Sequence, residues 1–459
     1  MSITDNKSRF ESEVASLSDS NARKRLAMLF DNGTYTEIDR FIKNNGSECE
    51  VVAAYGEVNG MTVYAYAQSI DVNNGAMGKV QATKIAHIYD LATKTGAPVV
   101  AVFDSNGAHI DEGVEALEAY GKLIKAAGNI SGVVPQISVV AGPCIGSAAV
   151  LASLADVVVM TEAAEFYITA PAFAESKDTE LGSAQLAAKN GTAAIVTQTD
   201  KEAMEKVADL LAYLPSNNLS EAMLAEYTPA AGGNGYEAVI DADSFFELSA
   251  DNGACIKTGF ARIGGASVGV VATDADAKDG YFCACAAKKA AKFVRFCDAF
   301  SIPVVTFVDS LGILAKEKCD LNGGVKAVAV LTSAYSEATT AKITVVTGNA
   351  IAGAYIAFVS SAAQADMVYA WNNSVIGTLE PMTAVQLLYK ERLAAGEDRK
   401  QLEAEYAADK CSPFNAAALG LVDDVIEPEE TAAKVISALD VLSSKRVSTL
   451  SKKHTNIPL

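Results

Sequence analysis

The sequence predicts an α/β protein in which one strand–helix layout is built twice. Three observations lead there. First, two stretches carry the same pattern: KIAHIYDLATKTGAPVVAVFDSNGAHI from Lys84 and KKAAKFVRFCDAFSIPVVTFVDSLGIL from Lys288. Lys84 aligns with Lys289, Pro98 with Pro303, Asp104 with Asp309 and Gly107 with Gly312, all at an offset of 205 residues. Second, short apolar, β-branched runs alternate with helical periodicities, the order expected of α/β architecture. Third, each copy carries a glycine-rich bend directly after a buried strand: ISVVAGPCIGSAAV and ITVVTGNAIAGAYI.

The elements follow in order. Residues 9–30 have helical spacing; Asp19, Ser20 or Asn21 can cap a helix with Leu26, Met28 and Leu29 inward. Residues 51–70 alternate as two strands around Val58-Asn59-Gly60, a hairpin signal. Val80, Ile85, Ile88 and Leu91 give residues 79–95 a helical stripe. Pro98–Phe103 reads as a strand buried on both faces, followed by a turn at 104–107. A helix over 112–127, a strand over 136–140, the first bend and a strand over 157–160 complete the copy. Residues 174–236 are Ala-rich and charged, and end in Gly232-Gly233-Asn234-Gly235, read as a linker. The second copy repeats the order: hairpin around Gly264-Gly265, helix 286–299, strand 303–308, turn 309–313, helix 322–337, strand 343–347, bend 348–355 and strand 366–370. A helical excursion over 383–408 and a closing helix over 429–444 follow. The domains are therefore 1–235 and 236–459.

With 459 residues, half of them hydrophobic, the chain is globular and long enough for two cores. A formal net charge of −19 argues against a nucleic-acid partner, which needs clustered Lys and Arg. The start MSITDNKSRFESEV has no signal-peptide core, so a cytoplasmic location is expected. Two long uncharged runs, Ile130–Ala155 and Ile343–Ala365, contain Pro135, Gln136 and Gly142 in one and Asn349, Gly353 and Gln364 in the other. They read as buried strand–turn–helix segments rather than membrane spans. The eight cysteines (Cys49, Cys144, Cys255, Cys283, Cys285, Cys297, Cys319 and Cys411) match no zinc or C-x-x-C spacing. They read as reduced thiols, and no metal site is expected.

The bends are where chemistry can sit. A helix start presents unpaired backbone N–H groups and a positive dipole end. Glycine lets a ligand atom approach them closely. Such a site can bind a phosphate or hold a developing oxyanion; equally, small residues there can serve only tight packing. Neither bend is a P-loop or a dinucleotide fingerprint, and no Gly-x-Ser-x-Gly elbow occurs. His87 lies in a helical pattern and reads as structural, His109 is an acid/base candidate after a turn, and Asp104 and Asp309 brace turns.

The segments ARKRLAMLFDNGTYTEID, KTGAPVVAVFDSNGAHIDEGV, GVVPQISVVAGPCIGSAA, LLAYLPSNN, GFARIGG, KAAKFVRFCDAFSIPVVTFVD, YSEATTAKITVVTGNAIAGAY and KKHTNIPL occur in one order from about Ala22 to Leu459. In these the chain resembles the biotin-dependent acyl-CoA carboxyltransferases: the carboxyltransferase subunits of propionyl-CoA carboxylase, of transcarboxylase and of sodium-pumping methylmalonyl-CoA decarboxylase. The resemblance implies tandem crotonase-like domains, the first taking the acyl-CoA thioester and the second the biotin ureido group. It implies that Gly146 and Ser147 stabilise the acyl-CoA enolate and that Gly353 and Ala354 stabilise the ureido oxygen. It implies that Gly107, Ala108, Gly142, Cys144, Ile145, Ala352, Tyr355 and Ile356 bind the substrates. Biotin itself would take the α-proton. The chain has no Met-Lys-Met biotinylation motif and no ATP-grasp-like segment. A separate biotin carrier protein is therefore implied, together with a biotin carboxylase or membrane decarboxylase-pump subunits. The family assembles with the N-terminal half of one subunit facing the C-terminal half of another, often as a hexamer.

The chain departs from the family pattern in places. Gly146-Ser147 and Ala352-Gly353 stand where double glycines are usual, His109 stands for an arginine, Thr273-Asp274-Ala275 for Asn-Gln-Pro, and Ile356 follows Tyr355 where relatives sort acyl length. Two other functions stay open at this level. One is a biotin-independent crotonase-type hydratase or isomerase, using Glu112, Glu115 or His109. The other is a non-catalytic scaffold paralogue. The repeat offset reads as 207 at the bends, matching Gly146 to Gly353, and 210 at Asp156 and Asp366.

Overall fold

The computed structural model describes residues 3–169, 180–230, 232, 235–314, 323–363 and 365–457. Cys319, Gln364, Gly233, Asn234 and the first residue of the helix expected over 322–337 lie outside them. The chain divides into two compact units, Met1–Glu221 and Ala222–Leu459.

In the first unit the helical stretch expected over 9–30 is two helices, α1 (Ile3–Ala15) and α2 (Asn21–Leu29), the second starting at the expected cap. Ser20 caps α2, its Oγ accepting from the Arg23 N–H. Leu26 and Leu29 are buried but Met28 is 48% exposed, because a residue two positions from Leu26 lies about 200° around the same helix and cannot share its buried face. Strands β1 (Tyr35–Ile38) and the short β2 (Lys43–Asn44) and β3 (Ser47–Glu48) follow. Next come the hairpin strands β4 (Val51–Val58) and β5 (Met61–Gln68). Asn59 and Gly60 both take positive φ (51° and 73°), the turn that matches strand twist. Helix α3 (Lys79–Thr95) packs Ile85 and Ile88 inward; β6 (Val99–Ser105) is buried along its whole length. After α4 (Val114–Ile130) come β7 (Gln136–Ile145), α5 (Ser147–Ser153), β8 (Val157–Thr161), β9 (Glu165–Tyr167), α6 (Ala184–Asn190), β10 (Ile195–Thr197) and α7 (Asp200–Leu211). The sheet runs β1-β4-β5-β6-β7-β8-β10, with β9 on the far end of β7. It is antiparallel up to β5 and parallel beyond.

The second unit repeats this order. Its strands are β11 (Phe246–Leu248), β12 (Ile256–Ile263), β13 (Ala266–Thr273), β14 (Tyr281–Phe282), β15 (Val304–Ser310), β16 (Gly312–Ile313), β17 (Lys342–Ile351), β18 (Met367–Trp371), β19 (Val375–Gly377) and β20 (Asp424–Ile426). Helix α8 (Ala284–Ala299) follows β14, and α9 (Gly324–Glu337) precedes β17. The sheet runs β11-β12-β13-β15-β17-β18-β20, with β19 on β17. The excursion over 383–408 is three helices, Pro381–Leu388, Lys390–Ala394 and Arg399–Lys410, and the closing helix is Thr431–Leu442. Both long uncharged runs are strand, turn and helix here. No helix among the described residues is long and apolar enough to cross a membrane.

Candidate active site

Both bends differ from the expected strand-then-loop. β7 and β17 continue through their glycines to Ile145 and Ile351. Each carries a bulge at the same place. Phe103 pairs with Val140 and Ser105 with Cys144; in the other unit Val308 pairs with Val346 and Ser310 with Ala350. Two extra residues are thus taken up opposite Asp104 and Asp309, which re-aims the strand ends. Glycine is required at the bulge: a Cβ on Gly142 would overlap the Asp104 carboxylate, and one on Gly348 the Asp309 carboxylate. Gly142 therefore serves the bulge and faces away from the turn, and Cys144 is fully buried in the sheet, where burial pushes its thiol up.

The two bulges are braced differently. Asp309 Oδ1 accepts from Asn349 N–H (2.7 Å) and Nδ2 (3.0 Å). Pro143 occupies the matching place and has no N–H, and Asp104 Oδ1 has no hydrogen-bond partner among the described residues. Its other oxygen takes Arg25 Nη1 at 2.6 Å; Arg25 also reaches Asp200 (2.7 Å) and the Ala141 carbonyl (3.0 Å). Burial still pushes the Asp104 carboxyl up against the pull of Arg25.

Beyond the bulge the chain turns sharply into a helix. Gly146 has φ 64° and its N–H donates to the Tyr167 carbonyl at 2.8 Å. Ala352 has φ 47° and its N–H donates to the Gly377 carbonyl at 2.9 Å. Register and bonding thus make Gly146 the counterpart of Ala352, and Ser147 of Gly353. The offset at the bends is 206 rather than the 207 read by matching glycines. The extra residue enters before β17, because Val99 pairs with Gln136 and Val304 with Lys342. The 210 offset holds: the Gln136 N–H is accepted by Asp156 and that of Lys342 by Asp366.

The next N–H groups, on Ser147 in one unit and on Gly353 and Ala354 in the other, lie in the first turn of a helix, where no intrahelical acceptor exists. A second strand end approaches each turn. Gly107 (φ 104°) lies beside the Ile145 carbonyl. The Gly107 carbonyl accepts from Met77 N–H (2.9 Å) and His109 N–H donates to the Met77 carbonyl (2.8 Å). Ala108 between them therefore points its own N–H away from Met77, and it has no acceptor among the described residues. In the other unit Gly312 approaches the Ile351 carbonyl, β16 pairs with β14, and Ile313 occupies the place of Ala108. Sequence reasoning singled out Ala108 but not Ile313; its signal was the constant 205 offset, which Ile313 obeys. Tyr355 is half-buried in a π-helical turn, Tyr355–Val359, and Ile356 is 59% exposed.

The acid/base candidates are occupied. Glu50 is fully buried and takes Asn73 (2.8 Å), Asn44 (3.3 Å), Gln81 and His109 Nε2 (3.2 Å). His109 is thereby a tie for the turn carrying Ala108. Glu112 accepts from the Lys79 N–H (2.8 Å) and Glu115 pairs with the Lys79 ammonium (2.5 Å). His87 pairs with Asp39 on the surface of α3. A cavity of about 260 Å³ flanks α5, lined among others by Ala149, Ser153, Tyr167, Ile168, Leu186 and Asn190. Among the described residues no group of three or more His, Cys, Asp or Glu could hold a metal ion.

Two equivalent sets of backbone N–H groups, each built from a strand end and a helix start on its own unit's sheet, mark a tandem crotonase-like fold. The carboxyl transferase domain model matches residues 18–457. The chain is 38% identical to the methylmalonyl-CoA decarboxylase subunit alpha of Veillonella parvula, covering 95% of this chain and 93% of that one. It is 36% identical to the propionyl-CoA carboxylase carboxyltransferase subunit of Haloferax mediterranei, covering 98% and 96%. Among solved structures it matches transcarboxylase 12S, a hexamer assembly with methylmalonyl-coenzyme A and methylmalonic acid bound. That match has a TM-score of 0.91 and 33% identity over 98% of this chain and 95% of that one. The chain belongs to the carboxyl transferase family.

Proposed function

We propose that this protein is the carboxyltransferase subunit of a biotin-dependent system. It moves a carboxyl group between a short acyl-CoA of the propionyl/methylmalonyl type and biotin carried on a separate protein. The observation that carries this reading is the pair of equivalent turns, each bringing backbone N–H groups of a strand end and a helix start together.

In the first unit the Ala108 and Ser147 N–H groups are suited to hold the thioester oxygen as negative charge develops on it. Gly146, with its own N–H bonded to Tyr167, sets the direction of the Ser147 N–H. The α5 cavity gives apolar room beside that turn, in keeping with a short acyl chain. In the second unit the Ile313 and Gly353 N–H groups, with Ala354 behind, form a cradle, and a Cβ at Gly353 would strike the Ile313 side chain, 2.8 Å from its Cδ1, and push the two residues apart. This cradle fits a ureido oxygen. Carrier-borne biotin, when bound there, supplies the transferable carboxyl group and the base for the α-proton. The residues of this chain hold oxygens and move no proton, which is consistent with His109, Glu112 and Glu115 being tied elsewhere and disfavours a hydratase or isomerase. We further propose a cytoplasmic homo-oligomer working with a biotin carrier protein and with either a biotin carboxylase or membrane-pump subunits.

The test is to incubate the protein with methylmalonyl-CoA and free biotin or biotinylated carrier, and to follow loss of the carboxyl group. Biotin-dependent loss is expected. A folded oligomer inert toward every malonyl-type CoA would refute the assignment.

A further inference from the structure

The second unit contains a cysteine pair that the carboxyl-transfer reading does not use. Cys255 Sγ and Cys283 Sγ are 3.4 Å apart, and the Cys283 N–H points at Cys255 Sγ at 3.3 Å. The matching points of the first unit, at the 205-residue offset, are Glu50 and Gly78. There the carboxylate of Glu50 gathers the Asn44, Asn73, Gln81 and His109 side chains. In the second copy this polar tie between a hairpin strand and the start of a helix is replaced by two thiols.

We propose that Cys255 and Cys283 are a redox-active dithiol, in which a hydroperoxide oxidises Cys283 and Cys255 resolves it to an intramolecular disulfide. Position separates the two roles. Cys283 is part-exposed at the N-terminus of α8, a helix of 16 residues, whereas Cys255 is 2% exposed. The buried Lys289, whose Nζ reaches the Ser249 carbonyl at 3.2 Å, lies close enough to be attracted by both sulfurs. The Cys255 S–H, and then the N–H groups of Ala286 and Cys285 at the helix start, outweigh burial and hold the Cys283 thiol down at about 5. Hydrogen bonding to Cys283, with burial, pushes Cys255 up, so it is the proton-bearing partner.

The chemistry balances. The Cys283 thiolate attacks the peroxide oxygen, the O–O bond breaks, and hydroxide or alkoxide leaves with Cys283 as the sulfenic acid. The Cys255 sulfur then attacks the Cys283 sulfur, expelling the sulfenic oxygen as water with the Cys255 proton. The sulfurs need to close by roughly 1.3 Å. The other described thiols are placed differently: Cys49, Cys144, Cys297 and Cys411 are buried and raised by that burial, and Cys285 is exposed.

The test treats the full chain with limiting hydrogen peroxide, blocks remaining thiols with a maleimide, and maps peptides by mass spectrometry without reduction. The expected result is a Cys255–Cys283 linked peptide and loss of two thiols per chain. In Cys255→Ser, dimedone should trap a sulfenic acid at Cys283. Mapping the wild type alone is decisive if that variant does not fold. Both thiols remaining free, or Cys283 recovered linked only to Cys285 or to another chain, would overturn the proposal.

Discussion

Replacing Gly353 with alanine tests the second cradle with a single carbon. The added Cβ would sit 2.8 Å from Cδ1 and 3.0 Å from Cγ1 of Ile313, closer than carbon atoms tolerate. The obstacle is the far end of a side chain, so the fold should absorb it for about 1–3 kcal/mol, the ordinary cost of overpacking. The catalytic cost is larger. In the proposed cradle Ile313 and Gly353 would each offer one N–H to the same oxygen, and pushing them apart would remove at least one short donor. One such donor is worth about 10²–10³ in rate, or about 2.7–4 kcal/mol of transition-state stabilisation. Biotin-dependent decarboxylation of methylmalonyl-CoA should therefore fall about a hundredfold in Gly353→Ala. Because the loss arises from a clash, adding Ile313→Ala should recover about tenfold, a coupling that a double-mutant cycle reads directly. A folded Gly353→Ala within twofold of wild type would refute the cradle. A double variant no faster than Gly353→Ala would refute the clash as the cause.

Three further outcomes follow from the same geometry. Ser147→Pro deletes one N–H at a first helical position that accepts proline, so turnover should fall about a hundredfold while the melting temperature moves little; unchanged turnover would remove Ser147 from the acyl-side hole. Arg25→Met leaves Asp104 buried without its partner and should cost about 3–5 kcal/mol in urea unfolding. The Asp104 carboxyl is already raised by burial, and a raised folded value contributes stability at low pH that is lost as pH rises through it. The Arg25→Met penalty should thus be smaller near about pH 5 than near about pH 8, and an equal penalty at both would contradict this account. Alkylation of Cys283 should be flat across neutral pH and fall only toward about 5; a rate that climbs through about pH 8.5 would show an ordinary thiol.

The constant offset from Lys84 to Gly312 made the duplication legible, and with it most of the sheet. Periodicity placed α3 to the residue, and the structure ends it at Gly96, which takes the left-handed φ of 65°. What the sequence concealed were interactions between distant elements. The bulges need glycine at 142 and 348 because Asp104 and Asp309 fill the space a Cβ would take, and nothing local to the glycines reports that. For the same reason matching glycine to glycine paired Gly146 with Gly353, whereas hydrogen bonds to Tyr167 and Gly377 pair Gly146 with Ala352. Met28 is expected inward with Leu26 and Leu29 by its apolar type, but the helical period sets it about 200° from Leu26, on the exposed side. Ile313 escaped notice because a backbone donor can carry any side chain, so residue type gives no warning of it.

The most direct test of two cooperating backbone holes is transfer of a radiolabelled carboxyl carbon from methylmalonyl-CoA to free biotin by the purified oligomer. Acid-labile label on biotin is expected with the wild type, and at least a hundredfold less with either Ser147→Pro or Gly353→Ala. Carboxyl loss that proceeds equally without biotin, or label transfer undiminished in both variants, would contradict it.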